Sequence, residues 1–208
     1  LFTPWGEALI RPWYQEALVA LSCMPHVTKV SIQTNISAPL EWTERCDLGS
    51  LALWTTYHPT QVTRERFLAK TGELLRRGVR HSVGVVGMRE NLDEIEAIRQ
   101  ATDDSVYVWV NAYKREPNYY TQEDLARLRA VDPLFDLNTE RHASAGEACA
   151  TGDTVISVDG EGTVRRCHFV KTPLGNLYEA GFPGFLGPRR CPNATCGCFI
   201  GYVHLERL

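Results

Sequence analysis

Leu51–Gly87 reads LALWTTYHPTQVTRERFLAKTGELLRRGVRHSVGVVG. Two apolar runs, Leu51–Tyr57 and Arg80–Gly87, enclose a segment of helical period. In that segment Phe67, Leu68, Thr71, Leu74 and Leu75 share one face, Thr63 is placed to cap the start, and Gly78 is placed to close the end. Strand, helix, strand at this spacing is a βαβ unit, which makes its two strands parallel.

The same rhythm extends in both directions. Val27–Ile36 and Ser105–Asn111 read as further strands, and such runs suit a sheet covered on both faces. Pro12 fits the first turn of an opening helix carrying Trp13, Ala17, Leu18 and Leu21. Asn91 with Glu94 opens a second helix through Leu92, Ile95 and Ile98, and Thr121 with Asp124 forms a capping box ahead of Leu125 and Leu128. The fold class is α/β with parallel strands. Trp54 and Trp109 read as core residues, and His58, ahead of Pro59, as a turn former.

Beyond residue 132 the texture changes, so the expected domains are 1–132 and 133–208. Thr154–Val158 and Thr163–Cys167 are short strands, with Asp159-Gly160-Glu161-Gly162 able to supply the positive φ angles of a hairpin. Residues 175–201 are rich in Gly, Pro and Cys, too poor in periodic apolar residues to fold without a metal or covalent staple.

The chain has 208 residues, 44% apolar and 23% charged, with a net charge of −3 and no run of like charge. That balance argues against nucleic acid and a polybasic membrane anchor as partners. No apolar stretch reaches the roughly 18–20 residues of a spanning helix, and no secretory signal is visible. The expected location is cytoplasmic.

Of seven cysteines, Cys23 and Cys46 stand alone, whereas Cys149, Cys167, Cys191, Cys196 and Cys198 crowd the tail. An odd number argues against a closed disulfide set. Thiolates are soft donors, and four converging on one point suit zinc or an iron–sulfur cluster. Which four ligate is open from spacing. Zinc ribbons usually show two C-x2-C knuckles, absent here. Arg165, Arg166, Arg189 and Arg190 are positioned either to support an anionic centre or simply to be solvated. His168 reads as a neighbour of the site and not a ligand.

The spacing Cys149-x12-Gly162-x4-Cys167, then Gly175-Asn176-Leu177 and the terminal cysteines, resembles the C-terminal SPASM or twitch domain of radical SAM enzymes. The N-terminal part is similar to their barrel. In that family the second strand ends Gly-Gly-Glu-Pro, where Pro4-Trp5-Gly6-Glu7-Ala8 stands here. The third ends Thr-Asn-Gly, against Thr34-Asn35-Ile36. The fifth carries Gly-x-Ile-x-Gly-x-x-Glu, against Val83–Glu90 with Gly87 retained. The resemblance implies an incomplete (β/α)6 partial TIM barrel followed by a small Cys-rich α+β domain. It implies Gly6, Glu7, Thr34, Asn35 and Gly87 as S-adenosylmethionine-binding positions, and an auxiliary 4Fe–4S cluster on the tail cysteines. It also implies a peptide or small-molecule substrate and a reductant protein such as flavodoxin or ferredoxin.

The family's Cys-x3-Cys-x2-Cys, whose cluster cleaves S-adenosylmethionine to a 5′-deoxyadenosyl radical, is not in this sequence. The expectation is therefore a chain lacking about two βα units, roughly sixty residues, at its start. Only the intact parent would hold S-adenosylmethionine with its own 4Fe–4S cluster, and this fragment would be inactive. Its catalytic residues are unknown. The rival reading is a non-catalytic α/β binding module with a zinc-stabilised tail.

Overall fold

Four parallel strands, β1 (Val30–Thr34), β2 (Leu51–Tyr57), β3 (Arg80–Gly87) and β4 (Val108–Ala112), form one sheet in the order β1-β2-β3-β4. They belong to the first of two compact units, Leu1–Asp136 and Leu137–Leu208, in a computed structural model that describes all residues from Leu1 to Leu208. Phe2 adds one parallel bridge beyond β1: its N–H reaches Ser31 O at 2.8 Å, and its carbonyl accepts from Gln33 N at 3.0 Å.

Helix α1 (Pro12–Ser22) precedes β1, α2 (Arg64–Arg76) joins β2 to β3, α3 (Leu92–Ala101) joins β3 to β4, and α4 (Gln122–Val131) follows β4. Between β1 and β2 there is only a 3-10 turn, Glu41–Arg45. Right-handed crossovers between sequential neighbours put the helices on one side of a sheet. On that side Ile32, Leu53, Val83, Val85, Val108 and Val110 are buried, and so are Leu18, Phe67, Leu74, Ile95, Ile98 and Leu128. Thr63 Oγ1 accepts from Arg66 N, and Gly78 ends that helix at φ +71°. The capping box is complete: Thr121 Oγ1 accepts from Asp124 N at 3.1 Å, and Asp124 Oδ2 from Thr121 N at 2.8 Å. No helix is long and apolar enough to cross a membrane.

Several sequence expectations are corrected. Helix α3 has no side-chain cap from Asn91. Trp13 and Leu75 are exposed, because the buried faces of α1 and α2 are narrower than their apolar stripes. The sheet is helix-covered on one face, not two. Alternation along the strands gives the other face Ser31, Gln33, Trp54, Ser82, Trp109 and Asn111. Trp54 and Trp109 are half-buried there, edge to face at 4.9 Å. Gly84 lies under the Trp109 ring, and a Cβ on it would come within 2.2 Å of that ring.

In the second unit strands are short. β5 (His142–Ala143) pairs with β11 (Thr195–Cys196), β6 (Ala148–Cys149) with β10 (Arg189–Arg190), and β7 (Ser157–Val158), β8 (Thr163–Arg165) and β9 (Pro173–Asn176) form an antiparallel sheet. In the β7–β8 turn only Gly162 takes a positive φ, +81°, and the Asp159 carboxylate accepts from the N–H groups of Glu161 and Thr163. Two short helices, α5 (Phe135–Thr139) at the boundary and α6 (Phe199–Tyr202) near the end, complete the chain.

Gly84→Ala should lower the stability of the first unit by about 1–3 kcal/mol, the usual cost of overpacking. Urea unfolding followed by tryptophan fluorescence measures it; an unchanged midpoint would mean that Trp109 is free to move off the strand.

Candidate functional site

Two clusters of side chains carry chemistry, one in each unit. The first lies at the carboxyl end of β1. Gly6, at φ +70°, turns the chain after the Phe2 bridge so that Glu7 faces β1. The Glu7 carboxylate accepts from Thr34 Oγ1 at 2.8 Å, from Asn35 N at 2.6 Å and from Leu9 N at 2.9 Å. Gly6, Glu7, Thr34 and Asn35 are thus one junction, assembled across 27 or 28 residues of sequence. Most of the carboxylate's acceptor capacity is used internally, which leaves about one lone pair for a donor from outside. The Asn35 side chain accepts from Ser37 N at 3.0 Å and so builds the turn after β1.

Ile36 completes this turn at φ +52°, a left-handed conformation that strains a β-branched residue. Its side chain is buried, and its N–H donates to Thr34 Oγ1 at 2.9 Å. Asn35 and Ile36 border a cleft of about 510 Å³ with His58, Arg66, Lys70 and Arg76. The carbonyl of His58 accepts from Gln61 and Val62, the turn role expected for it.

Gly87 takes no part in this junction. It sits at the end of β3 under the Tyr120 hydroxyl, which donates to Gly87 O at 2.7 Å and accepts from Tyr113 N at 2.7 Å. A Cβ at Gly87 would stand 2.9 Å from that hydroxyl, so the close approach to this glycine is made by the protein's own side chain. Burial pushes Tyr120 up to about 12, which keeps its proton available for the bond. Glu90 accepts from Tyr119 OH at 3.2 Å.

The second cluster is in the tail. Cys149 on β6 and Cys196 on β11 pack together with Tyr202 and Leu205. Cys191 follows β10, where its N–H donates to Glu147 O at 3.0 Å, and Cys167 follows β8. Cys167 lies within electrostatic reach of Cys149 and Cys191, and Cys196 within reach of Cys167, Cys191 and Cys149. Burial pushes the Cys167 and Cys196 thiols up, against a lowering bond from Phe169 N to the first.

Cys198 differs from the other four: its backbone N–H donates to the Cys196 sulfur, but its own thiol faces solvent. Its carbonyl accepts from Gly201 N and Tyr202 N to start α6. The thiols are all free, and no three His, Cys, Asp or Glu side chains are placed to grip a single metal ion. The donor chemistry still suits a thiophilic centre: four soft groups from four separate segments lie within electrostatic reach of one another.

Other residues resolve as neighbours. His168 is exposed and stands edge-on to Phe169 at 5.1 Å. The four arginines diverge. Arg165 pairs with Asp159, and Arg189 and Arg190 are exposed, their guanidinium groups donating to the carbonyls of Phe185 and Gly146. Arg166 is only 5% exposed. Thr151, whose Oγ1 is 3.2 Å from Cys149 Sγ, and His142, the cross-strand partner of Cys196, were not singled out in the sequence. Cys-x-Thr was the one legible signal. In the first unit Cys23 and Cys46, isolated in sequence, come within electrostatic reach at the ends of α1 and the 3-10 turn.

Glu7→Ala leaves the N–H groups of Leu9 and Asn35 and the Thr34 hydroxyl without their acceptor, and should cost about 1–3 kcal/mol. Glu7→Gln, which keeps one acceptor oxygen, should cost less. Chemical unfolding of the two variants checks the order; equal midpoints for both and wild type would show that the junction contributes nothing. Compared with models of known protein families, with curated proteins and with solved structures, the chain gives no match in any of the three.

Proposed function

We propose that this chain carries the S-adenosylmethionine-binding edge of a radical SAM barrel and, in its tail, the ligands of an auxiliary 4Fe–4S cluster. The observation that carries the reading is the junction of Glu7 with Thr34 and Asn35. Two of the motifs that carry the family resemblance meet at the carboxyl end of β1, beside the parallel Phe2 bridge, and α/β folds place ligands at such ends. Ile36 supports it, because the residue standing where the family has glycine takes a glycine-like φ of +52°. The strand order supports the partial barrel, with parallel strands following one another as neighbours and helices along one face. The other face, with Gln33, Trp54, Ser82, Trp109 and Asn111, would then be the inner, substrate-facing one.

In the tail, Cys149, Cys167, Cys191 and Cys196 would hold the cluster and Cys198 would not. A cluster bound there supplies one-electron chemistry or a site for a substrate group. The residues of the chain do the rest. Glu7 orients the turn after β1 and offers its remaining lone pair to an ammonium, while Asn35 and Ile36 hold the wall of the neighbouring cleft. The absence of Cys-x3-Cys-x2-Cys means that the radical-forming cluster has no ligands among these residues. Its substrate and partners follow only from the family reading: a small molecule or peptide, and a flavodoxin- or ferredoxin-type reductant.

Anaerobic reconstitution of the full chain with iron and sulfide tests this. The expected product is brown, with stoichiometric iron and sulfide. Replacing Cys149, Cys167, Cys191 or Cys196 with Ser should each reduce the iron content, and Cys198→Ser should leave it unchanged. A colourless protein that instead purifies with one zinc would favour the metal-stabilised binding module.

A further inference from the structure

Arg166 is the one buried arginine of the tail, and its guanidinium has no carboxylate partner. Its Nε and Nη2 donate to Thr151 Oγ1 at 3.3 and 3.2 Å, Nη2 also to Arg189 O at 3.0 Å, and Nη1 to Arg190 O. Every acceptor is neutral. Burying a charge is costly unless it is paired, and a guanidinium cannot escape by losing its proton. A full positive charge is therefore held in the interior of a small unit without a negative one.

The surroundings show where the missing charge belongs. Arg166 immediately precedes Cys167. Through Thr151 it reaches the hydroxyl that lies 3.2 Å from Cys149 Sγ. Through Arg190 O it grips the residue before Cys191. One side chain touches the segments bearing three of the four electrostatically coupled thiols. Four thiolates on a divalent zinc ion, or on a 4Fe–4S core of charge +2, leave a net charge of −2, so either occupant would supply the counter-charge.

We propose that Arg166 is a positioning residue for the four-thiolate centre, supplying the fixed positive charge that stabilises its anionic, metal-bound form. The inference rests on the proposed ligation by Cys149, Cys167, Cys191 and Cys196, but it holds for zinc as well as for iron and sulfide. It separates two contributions of Arg166 that coincide in the structure, its charge and its hydrogen bonds to two carbonyls.

The test uses the full chain, anaerobically reduced, titrated with Zn2+ alone against a chromophoric chelator. Wild type should bind one Zn2+. Arg166→Lys keeps the charge and should stay within a few-fold of wild type, whereas Arg166→Gln keeps donors but not charge. Its affinity should fall roughly 10–100-fold, the range seen when residues supporting a metal's ligands are changed. Arg166→Met is a second neutral variant, used should the glutamine variant fail to fold by circular dichroism. In iron-reconstituted protein, the neutral variants should also show a more negative reduction potential, because the reduced cluster loses its neighbouring positive charge. Equal affinities for the Lys and Gln variants, whether both retained or both lost, would overturn the charge role. A wild-type chain that binds no Zn2+ and assembles no cluster would instead overturn the ligation reading beneath it.

Discussion

A shortage of apolar surface governs the second unit, and most of what is unusual in it follows from that constraint. Between Leu137 and Leu208 the buried apolar cluster is Cys149, Tyr202 and Leu205, with Cys196 against it, and Val164 buried apart. Ordering backbone costs roughly 1–2 kcal/mol per residue, and complete burial of one large apolar side chain returns only about 1.5–3 kcal/mol. Such a core cannot fix so many loops. The unit relies instead on polar junctions: Arg166 across three segments, Asp159 inside the hairpin turn, and Ser144 bonded to Asn193 and Ala194. A centre held by four thiolates would add binding free energy directly to folding. Cys149 is a core residue and Cys196 packs against it, so in such a centre packing and ligation would draw on the same side chains.

The first unit is built on the opposite principle. Its strands and helices bury a continuous cluster running from Leu9 and Leu18 through Ile32, Leu53 and Val85 to Leu128 and Phe135. With stability supplied there, the carboxyl edge of the sheet is free to carry irregular and polar structure. Glu7, Thr34 and Asn35 sit on that edge, as do Tyr119 and Tyr120 after β4. Polar junctions in one unit thus position a candidate ligand site, while in the other they hold the backbone together.

What could be read in the sequence depended on how local its cause was. Strands β2 and β3 were legible to the residue, because each is an apolar run bounded by turn or capping signals. Strand β1 is shorter than its β-branched run, since Val27 N–H is drawn into a turn onto Met24 O and Asn35 N–H is committed to Glu7. Asn91 has the composition of a cap, but a 3-10 turn at Arg89–Asn91 already leads into α3. Trp54 and Trp109 have core character by type, yet alternation puts them on the face without helices. The density of tail cysteines was visible. The exposure of Cys198 was not, because it depends on the chain turning into α6 directly after that residue. Arg166 could not be told from Arg165 by sequence. Arg165 ends β8 and reaches outward to Asp159, whereas Arg166 lies in the bend that follows and turns inward to carbonyls.

Ile36 shows how these levels meet. A left-handed φ costs a non-glycine residue about 1–2 kcal/mol, more easily tolerated when the surroundings over-determine the conformation. Here they do: Thr34 Oγ1 holds the Ile36 N–H, Glu7 holds Thr34 and the Asn35 N–H, and the isoleucine side chain is buried. Burying that side chain contributes about 1.5–3 kcal/mol, enough to offset the strain. Glycine would adopt the same φ without cost but would leave the turn free to move and a cavity beneath it. Isoleucine makes the turn a fixed wall of the cleft that Asn35 and His58 also line. The backbone geometry that the family resemblance associates with glycine is thus kept, but held by side-chain burial and the Glu7 carboxylate instead of by conformational freedom.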